Sequence, residues 1–432
     1  MGVIKLEKIN IERLNKTVVI DTLDNGLTVL FCKTKDYISK VAYFTTKYGS
    51  KDFEFIPISE NKMKKFPQGI AHFLEHKVFE QKTGEIIFEK FSKRQADANA
   101  FTSQEQTKYH FSCSQNFYDN LEILLDFVQD PYFTDSNVEK EKGIISQELE
   151  MYKDNPNWVG YQKTYECLFV NSGYKYDIGG SVEEIMKITK EDLYKCYNTF
   201  YNPSNMYLVI TGDLDEKEVF EFVRKNQMKK KFGKQDKIIK KEDNEPKEVA
   251  IKKLVLNENV VAQRSYLVYK IYLKNKMDEQ TFINKMYLDI YLGASFGELT
   301  TVREDMINNK IVKSMFSFGI EEAGDFIIIE FDGNTINHNK FVNKIDKIIN
   351  NKKSKEEDFN IFRKYIISNM ISRNEMPSAL NIRISELYYN YNKIFGNIIE
   401  LCEKLNYKDY LTFIKTLDFS NKSEIIMKPK KK

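Results

Sequence analysis

Residues 69–79 read Gly-Ile-Ala-His-Phe-Leu-Glu-His-Lys-Val-Phe, and no other stretch restricts the chain as much, because its polar residues meet only if it is an amphipathic helix. At about 100° per residue, His72 and His76 fall on one helix face, one turn apart. Two imidazoles so placed can hold one metal ion. Glu75 lies roughly 60° round the helix from His72, near enough to reach a water on that metal without being a ligand itself.

A His pair at this spacing beside a Glu also occurs on solvated helix faces. Here, however, the 432-residue chain has four His, so two of them framing a Glu at metal-binding spacing is a poor fit to chance. The order His-x-x-Glu-His inverts the commoner zinc-hydrolase pattern, and as an inverted zincin motif it carries the same chemistry.

With 66 basic and 63 acidic residues the net charge is +3, which gives no electrostatic case for nucleic acid or a membrane surface. No apolar run approaches the roughly 18 residues of a membrane span. A hydrophobic content of 42% with 13% aromatic residues supports sizeable cores and more than one domain. Cys32, Cys113, Cys167, Cys196 and Cys402 are odd in number, scattered and without a CxxC pair, as expected of reduced thiols packed as small apolar side chains. Met1 to Lys8 lacks a signal-peptide core and carries acids too early for a mitochondrial presequence, and Gly2 lacks the downstream Ser or Thr of a myristoylation site. A cytoplasmic location is the expectation.

The chain order predicts an α+β fold: two related α/β-roll halves, each an antiparallel-rich sheet flanked by helices. A hairpin is expected over 17–32 with Asn25-Gly26 as a type I′ turn, then a strand from Val41, the helix of the His pair, a helix over 84–94 and a strand from Thr107. Phe117, Leu121, Leu124, Leu125 and Val128 space as a helix that Asp130-Pro131 ends. On the helix expected over 136–152, Glu141 and Glu148 are seven residues apart, nearly two turns, so both carboxylates project from one face. By themselves they read as an exposed, solvated acidic face. Residues 1–225 form the first half and 226–249, dense in charge, a linker. In 250–432 strands and helices recur in similar order without a second HxxEH.

Taken together, His72-Phe-Leu-Glu75-His76, Asn99-Ala-Phe-Thr with Thr107 and Tyr109, Glu141-Lys-Gly-Ile-Ile-Ser-Gln-Glu148, Gly180-Ser-Val-Glu-Glu-Ile and Phe200-Tyr-Asn-Pro-Ser-Asn resemble the pitrilysin/insulinase family of zinc peptidases, in particular its bacterial members related to mitochondrial processing peptidase. The resemblance implies a Zn2+ cofactor with a third ligand, a Glu on a separate helix. Glu148, 72 residues after His76, matches it, with Glu141 as the matching acidic group beside the ligands. It also implies that Asn99, Ala100 and Phe101 lie on a sheet edge to which peptide substrate adds as a strand. Just before that edge the family has glycines, where this chain has Gln95-Ala-Asp-Ala98.

Active members of the family, or their partners, carry in the second half an Arg and a Tyr that bind substrate carbonyls. Gap-free alignment puts Met306 and Lys313 there, with Arg303 about a turn away. The expectation is a zinc endopeptidase for short or unfolded peptides, acting as the catalytic subunit of a heterodimer whose inactive homologue supplies the Arg and Tyr. The alternatives are a non-catalytic structural or peptide-presenting subunit, and a metal-dependent hydrolase of a non-peptide amide.

Overall fold

The start of the chain folds into β1 (Glu7–Ile11), β2 (Lys16–Thr22), β3 (Thr28–Lys33) and β4 (Lys40–Thr46), the last two buried along nearly their whole length, followed by the short β5 (Glu54–Phe55) and β6 (Lys64–Lys65). Helices α1 (Ile70–Val78) and α2 (Ile87–Lys93) precede the hairpin β7 (Ala96–Thr102) and β8 (Thr107–Cys113). Then come α3 (Phe117–Val128), α4 (Asp135–Lys153), α5 (Pro156–Leu168), α6 (Val182–Ile185), α7 (Lys190–Phe200), β9 (Met206–Gly212) and α8 (Glu216–Met228). The remainder begins with β10 (Lys253–Glu258), β11 (Arg264–Tyr272), α9 (Glu279–Phe296), α10 (Val302–Asn308), β12 (Val312–Ala323) and β13 (Phe326–Thr335). It closes with α11 (His338–Ile349), α12 (Glu356–Arg373), α13 (Pro377–Tyr391), α14 (Ile398–Lys404), α15 (Tyr407–Thr416) and β14 (Lys422–Pro429). This computed structural model describes residues 6–430 except 36, 59 and 234, so the reading of Gly2 lies outside the described residues.

Two units result: Met1–Leu149 with Tyr176–Glu242 and Ile371–Asn397, and Glu150–Lys175 with Asp243–Met370 and Ile398–Lys432. Each holds an antiparallel-rich sheet flanked by helices. In the first the strand order is β1-β2-β3-β9-β4-β8-β7 and in the second β10-β14-β11-β13-β12. Among these ladders only β3 with β9 and β10 with β14 run parallel. Membership of the units does not follow chain order, since α5 packs on β14 and β11 in the second unit while α13 packs on β9 and β4 in the first. Asn381 of α13 donates to the carbonyls of Val41 and Val209. These bonds satisfy the donors of a buried amide and seat the helix on the sheet.

The hairpin of β2 and β3 forms with Val18 opposite Cys32, but its turn differs from expectation. Type I′ needs positive φ at both Asn25 and Gly26, and only Gly26 has it, at +89°. Gly26 N–H donates to Leu23 C=O at 2.8 Å, so a tight turn is followed by a glycine bulge, the three-residue form of hairpin. The sequence pattern also passed over β10, α10 and α14. The charged stretch after α8 is fastened locally to β5 and the turn before it: Lys241 pairs with Glu54 and Lys240 with Asp52, each at 2.8 Å.

Phe73, Leu74 and Val78 of α1 are fully buried against the same core as Tyr109, Phe111, Leu121, Leu124 and Ile145, each large apolar side chain contributing about 2–3 kcal/mol of burial. That core anchors α1 and leaves its histidine face turned away from it. All five cysteines are buried. Among the described residues no helix is long and apolar enough to cross a membrane.

Candidate metal centre and edge strand

Helix α1 starts at Gly69, whose φ is +82°. A side chain there would be strained, and its Cβ would lie 2.2 Å from the Gly179 carbonyl oxygen. Gly179 is equally confined: a Cβ would stand 2.6 Å from Leu149 Cδ2 and 3.7 Å from His72 Nδ1. This close approach of the 179–180 loop to the helix start keeps His72 half-buried, and burial, reinforced by the charge of His76, pushes its pKa down to about 4. Helix α4 starts where Thr134 and Asn137 cap one another, through Asn137 Oδ1 at 2.8 Å and Thr134 Oγ1 at 3.2 Å. Val138, Lys142, Ile145 and Leu149 form its buried face, which sets the adjoining face, with Glu141 and Glu148, towards α1.

One donor atom from each of His72, His76 and Glu148 lies within 4.8 Å of the others. His72 Nε2 is 3.9 Å from Glu148 Oε1, and His76 Nε2 is 3.4 Å from Glu148 Oε2. Ligands sharing a tetrahedral zinc at its usual bond lengths stand about 3.4 Å apart, so two imidazoles and a carboxylate at these separations fit that ion. His76 Nδ1 lies 3.0 Å from Glu141 Oε1. Burial pushes His76 down, but hydrogen bonds to Glu141 and Glu148 and their charges outweigh it and hold the ring up at about 9.

The two carboxyl groups beside the histidines are pushed apart in proton affinity. Burial raises Glu75, against the hydrogen bond from Thr102 and the charge of His76. Burial also acts to raise Glu141, but the His76 hydrogen bond and the charges of His76, Lys77 and Lys140 bring it below its ordinary value.

Strand β7 is the last of its sheet and therefore has a free edge. Its Thr102 hydroxyl donates to Glu75 Oε2 at 2.6 Å, tying the edge to α1. Asn99, Ala100 and Phe101 lie along this strand. Ala100 packs on the core, and its N–H donates to Asn99 Oδ1 at 2.8 Å. Phe101 alternates to the opposite face, 42% exposed and edge-on to His110. His110 itself is stacked on Tyr43, a packed histidine far from ligand geometry. Gln95, just before the strand, takes φ +58°, a left-handed conformation at the stretch where the resemblance implies glycine.

In the second unit Met306 is fully buried, whereas Lys313 and Arg303 are exposed. Arg303 Nη2 donates to the Ser314 carbonyl at 3.4 Å. The sequence reading did not assign Thr102 or Lys77 to the site. Thr102 was detectable, since strand alternation puts it with Ala98 and Ala100; Lys77 gave no signal.

A histidine-glutamate helix beside the edge strand of its sheet is an arrangement suited to a metal-dependent hydrolase. The family model described as Insulinase (Peptidase family M16) matches residues 60–177, and that described as Peptidase M16 inactive domain matches residues 187–364. The uncharacterized zinc protease YmfH of Bacillus subtilis (strain 168) is 40% identical over 330 residues, 76% of this chain and 77% of its own. An M16-like peptidase from Alicyclobacillus acidocaldarius has the same fold, with a TM-score of 0.88 at 27% identity over 99% of both chains. Mitochondrial-processing peptidase subunit beta of Bos taurus is 29% identical over 160 residues, 36% of this chain and 33% of its own. The chain belongs to the insulinase family, a family of zinc peptidases.

Proposed function

We propose that this chain is a zinc metalloendopeptidase that cleaves short or unfolded peptides, and that it works as the catalytic subunit of a heterodimer. The observation that carries the reading is the meeting of His72, His76 and Glu148 within 4.8 Å, beside a Glu75 that is hydrogen-bonded to an edge strand. His72, His76 and Glu148 would hold a zinc ion, which when bound would supply Lewis acidity towards a water and a scissile carbonyl. Glu75 takes the proton of the attacking water and passes it to the leaving amine. Its raised pKa suits both transfers. Glu141 accepts from His76 Nδ1 and fixes the ring so that Nε2 faces Glu148.

The free edge of β7 at Asn99, Ala100 and Phe101 pairs with the main chain of an extended peptide. On pairing, the Ala100 N–H leaves Asn99 Oδ1 for a substrate carbonyl. A folded protein has already used its backbone donors and acceptors, so unfolded chains and short peptides are the substrates. The buried Met306 cannot reach a substrate carbonyl, which supports a partner chain as the source of the missing Arg and Tyr. Five buried thiols accord with action in the cytoplasm.

The test is cleavage of a quenched peptide library by the purified chain, alone and with its homologous partner. Zinc near one equivalent, weak cleavage alone and recovery with the partner are expected. Full activity from the isolated chain, unchanged by Arg303→Ala, would remove the heterodimer from the reading. Zinc binding with no cleavage under either condition would leave the non-catalytic subunit.

A further inference from the structure

Lys77 follows the second histidine, and its side chain is 0% exposed. A buried ammonium is costly unless charged and polar partners surround it. Its neighbours on the buried side of α1, Ile70, Phe73, Leu74 and Val78, are apolar, so packing alone asks for an apolar residue here. The ammonium instead has three partners. It binds the Glu80 carboxylate, donates to the Asn137 carbonyl at 3.2 Å, and stands 3.8 Å from Glu141 Oε2.

Glu141 therefore has a partner at both ends: Oε1 lies 3.0 Å from His76 Nδ1, and Oε2 stands 3.8 Å from the Lys77 ammonium in an ion-pair contact. The partners of the lysine are Glu80, just past the end of α1, and, on α4, the Asn137 carbonyl of the first turn and Glu141. We propose that Lys77 is a positioning residue for the metal centre: through Glu141 it locks the His76 ring in the orientation that turns Nε2 towards Glu148. The proposal rests on the reading of His72, His76 and Glu148 as ligands.

The test is a double-mutant cycle in zinc affinity, measured on the full chain by competition with a chelator, with Lys77→Met, Glu141→Gln and the pair. Groups that orient a metal-binding imidazole are worth 10- to 100-fold in affinity, and a residue acting through one of them is expected to cost about ten-fold. Lys77→Met should weaken zinc binding by that amount. Added to Glu141→Gln, it should cost no more than about two-fold further, because the two act as one unit. A merely structural lysine would lower the melting temperature without this non-additivity. Unchanged affinity in folded Lys77→Met, or losses that add in full, would overturn the proposal. Should Lys77→Met fail to fold, Lys77→Gln, which keeps a donor for the Asn137 carbonyl, carries the same cycle. Failure of both to fold would make the ammonium a folding element and also reject the proposal. His76→Ala separates the two levels: zinc retained there refutes the ligand set, whereas zinc lost there but kept in Lys77→Met refutes only the role of Lys77.

Discussion

In the first unit the run β3-β9-β4-β8-β7 and in the second the run β10-β14-β11-β13-β12 have one strand order, each with its parallel pair at one end. Chain order matches as well. Helices α1 and α2 lie between β4 and β7 as α9 and α10 lie between β11 and β12, and α3 and α4 follow β8 as α11 and α12 follow β13. Even the exchanged helices correspond, α13 packing on β9 and β4 as α5 packs on β14 and β11. Yet α9 has no histidine, and α12 carries its acidic residues only in its first turn. The one histidine after residue 110, His338, lies 3.0 Å from Ser265 Oγ and 2.9 Å from Glu424 Oε2, in a buried polar contact. The repeated topology brings two helices together in each unit, but among the described residues it is α1 and α4 that carry side chains able to hold a metal ion.

The largest expected effect breaks or upholds that contrast directly. His72→Ala, His76→Ala or Glu148→Gln should remove most of the bound zinc and all detectable cleavage, while Glu357→Gln on α12 should remove none. Metal content by mass spectrometry is the measure, and a full equivalent of zinc in Glu148→Gln would take that residue out of the site. Next in size, Glu75→Gln should keep zinc and lose about 100- to 10,000-fold in kcat, the usual worth of a positioned base.

A third test asks what the second sheet does with its own buried acid. Glu330 of β13 accepts from Thr164 of α5 at 2.9 Å, and burial, with the charges of Asp332 and Glu321, pushes its carboxyl from 4.5 up to about 7. A folded-state pKa above the unfolded value means that the stability it contributes is full below pH 4.5 and is lost as pH rises through about 7. The loss is on the order of 3 kcal/mol at most. Melting curves at pH 5 and pH 8 should show Glu330→Gln less sensitive to that change than the natural chain, and equal slopes would show that Glu330 titrates normally. Smallest of the four, Thr102→Val should cut kcat about ten-fold by removing one charge-assisted hydrogen bond to the base. An unchanged kcat would mean that the edge strand does not orient Glu75.

Much of this was legible before any coordinates. A four-residue spacing puts His72 over His76 and a seven-residue spacing puts Glu141 over Glu148 whatever surrounds them, because helix geometry is local and periodic. The same holds for the apolar stripe of α3 and the break at Asp130-Pro131. What joined the two faces was not local. The contacts of Thr102 with Glu75, of Lys77 with Asn137 and of Gly179 with the start of α1 connect residues 27, 60 and 110 positions apart, and no periodicity encodes them. The Asn25-Gly26 turn took its form from how β2 and β3 pair, since both turn types accept that dipeptide. Which sheet α5 and α13 cover was likewise decided by tertiary packing, because an amphipathic helix specifies that its apolar face must be buried and leaves open against what.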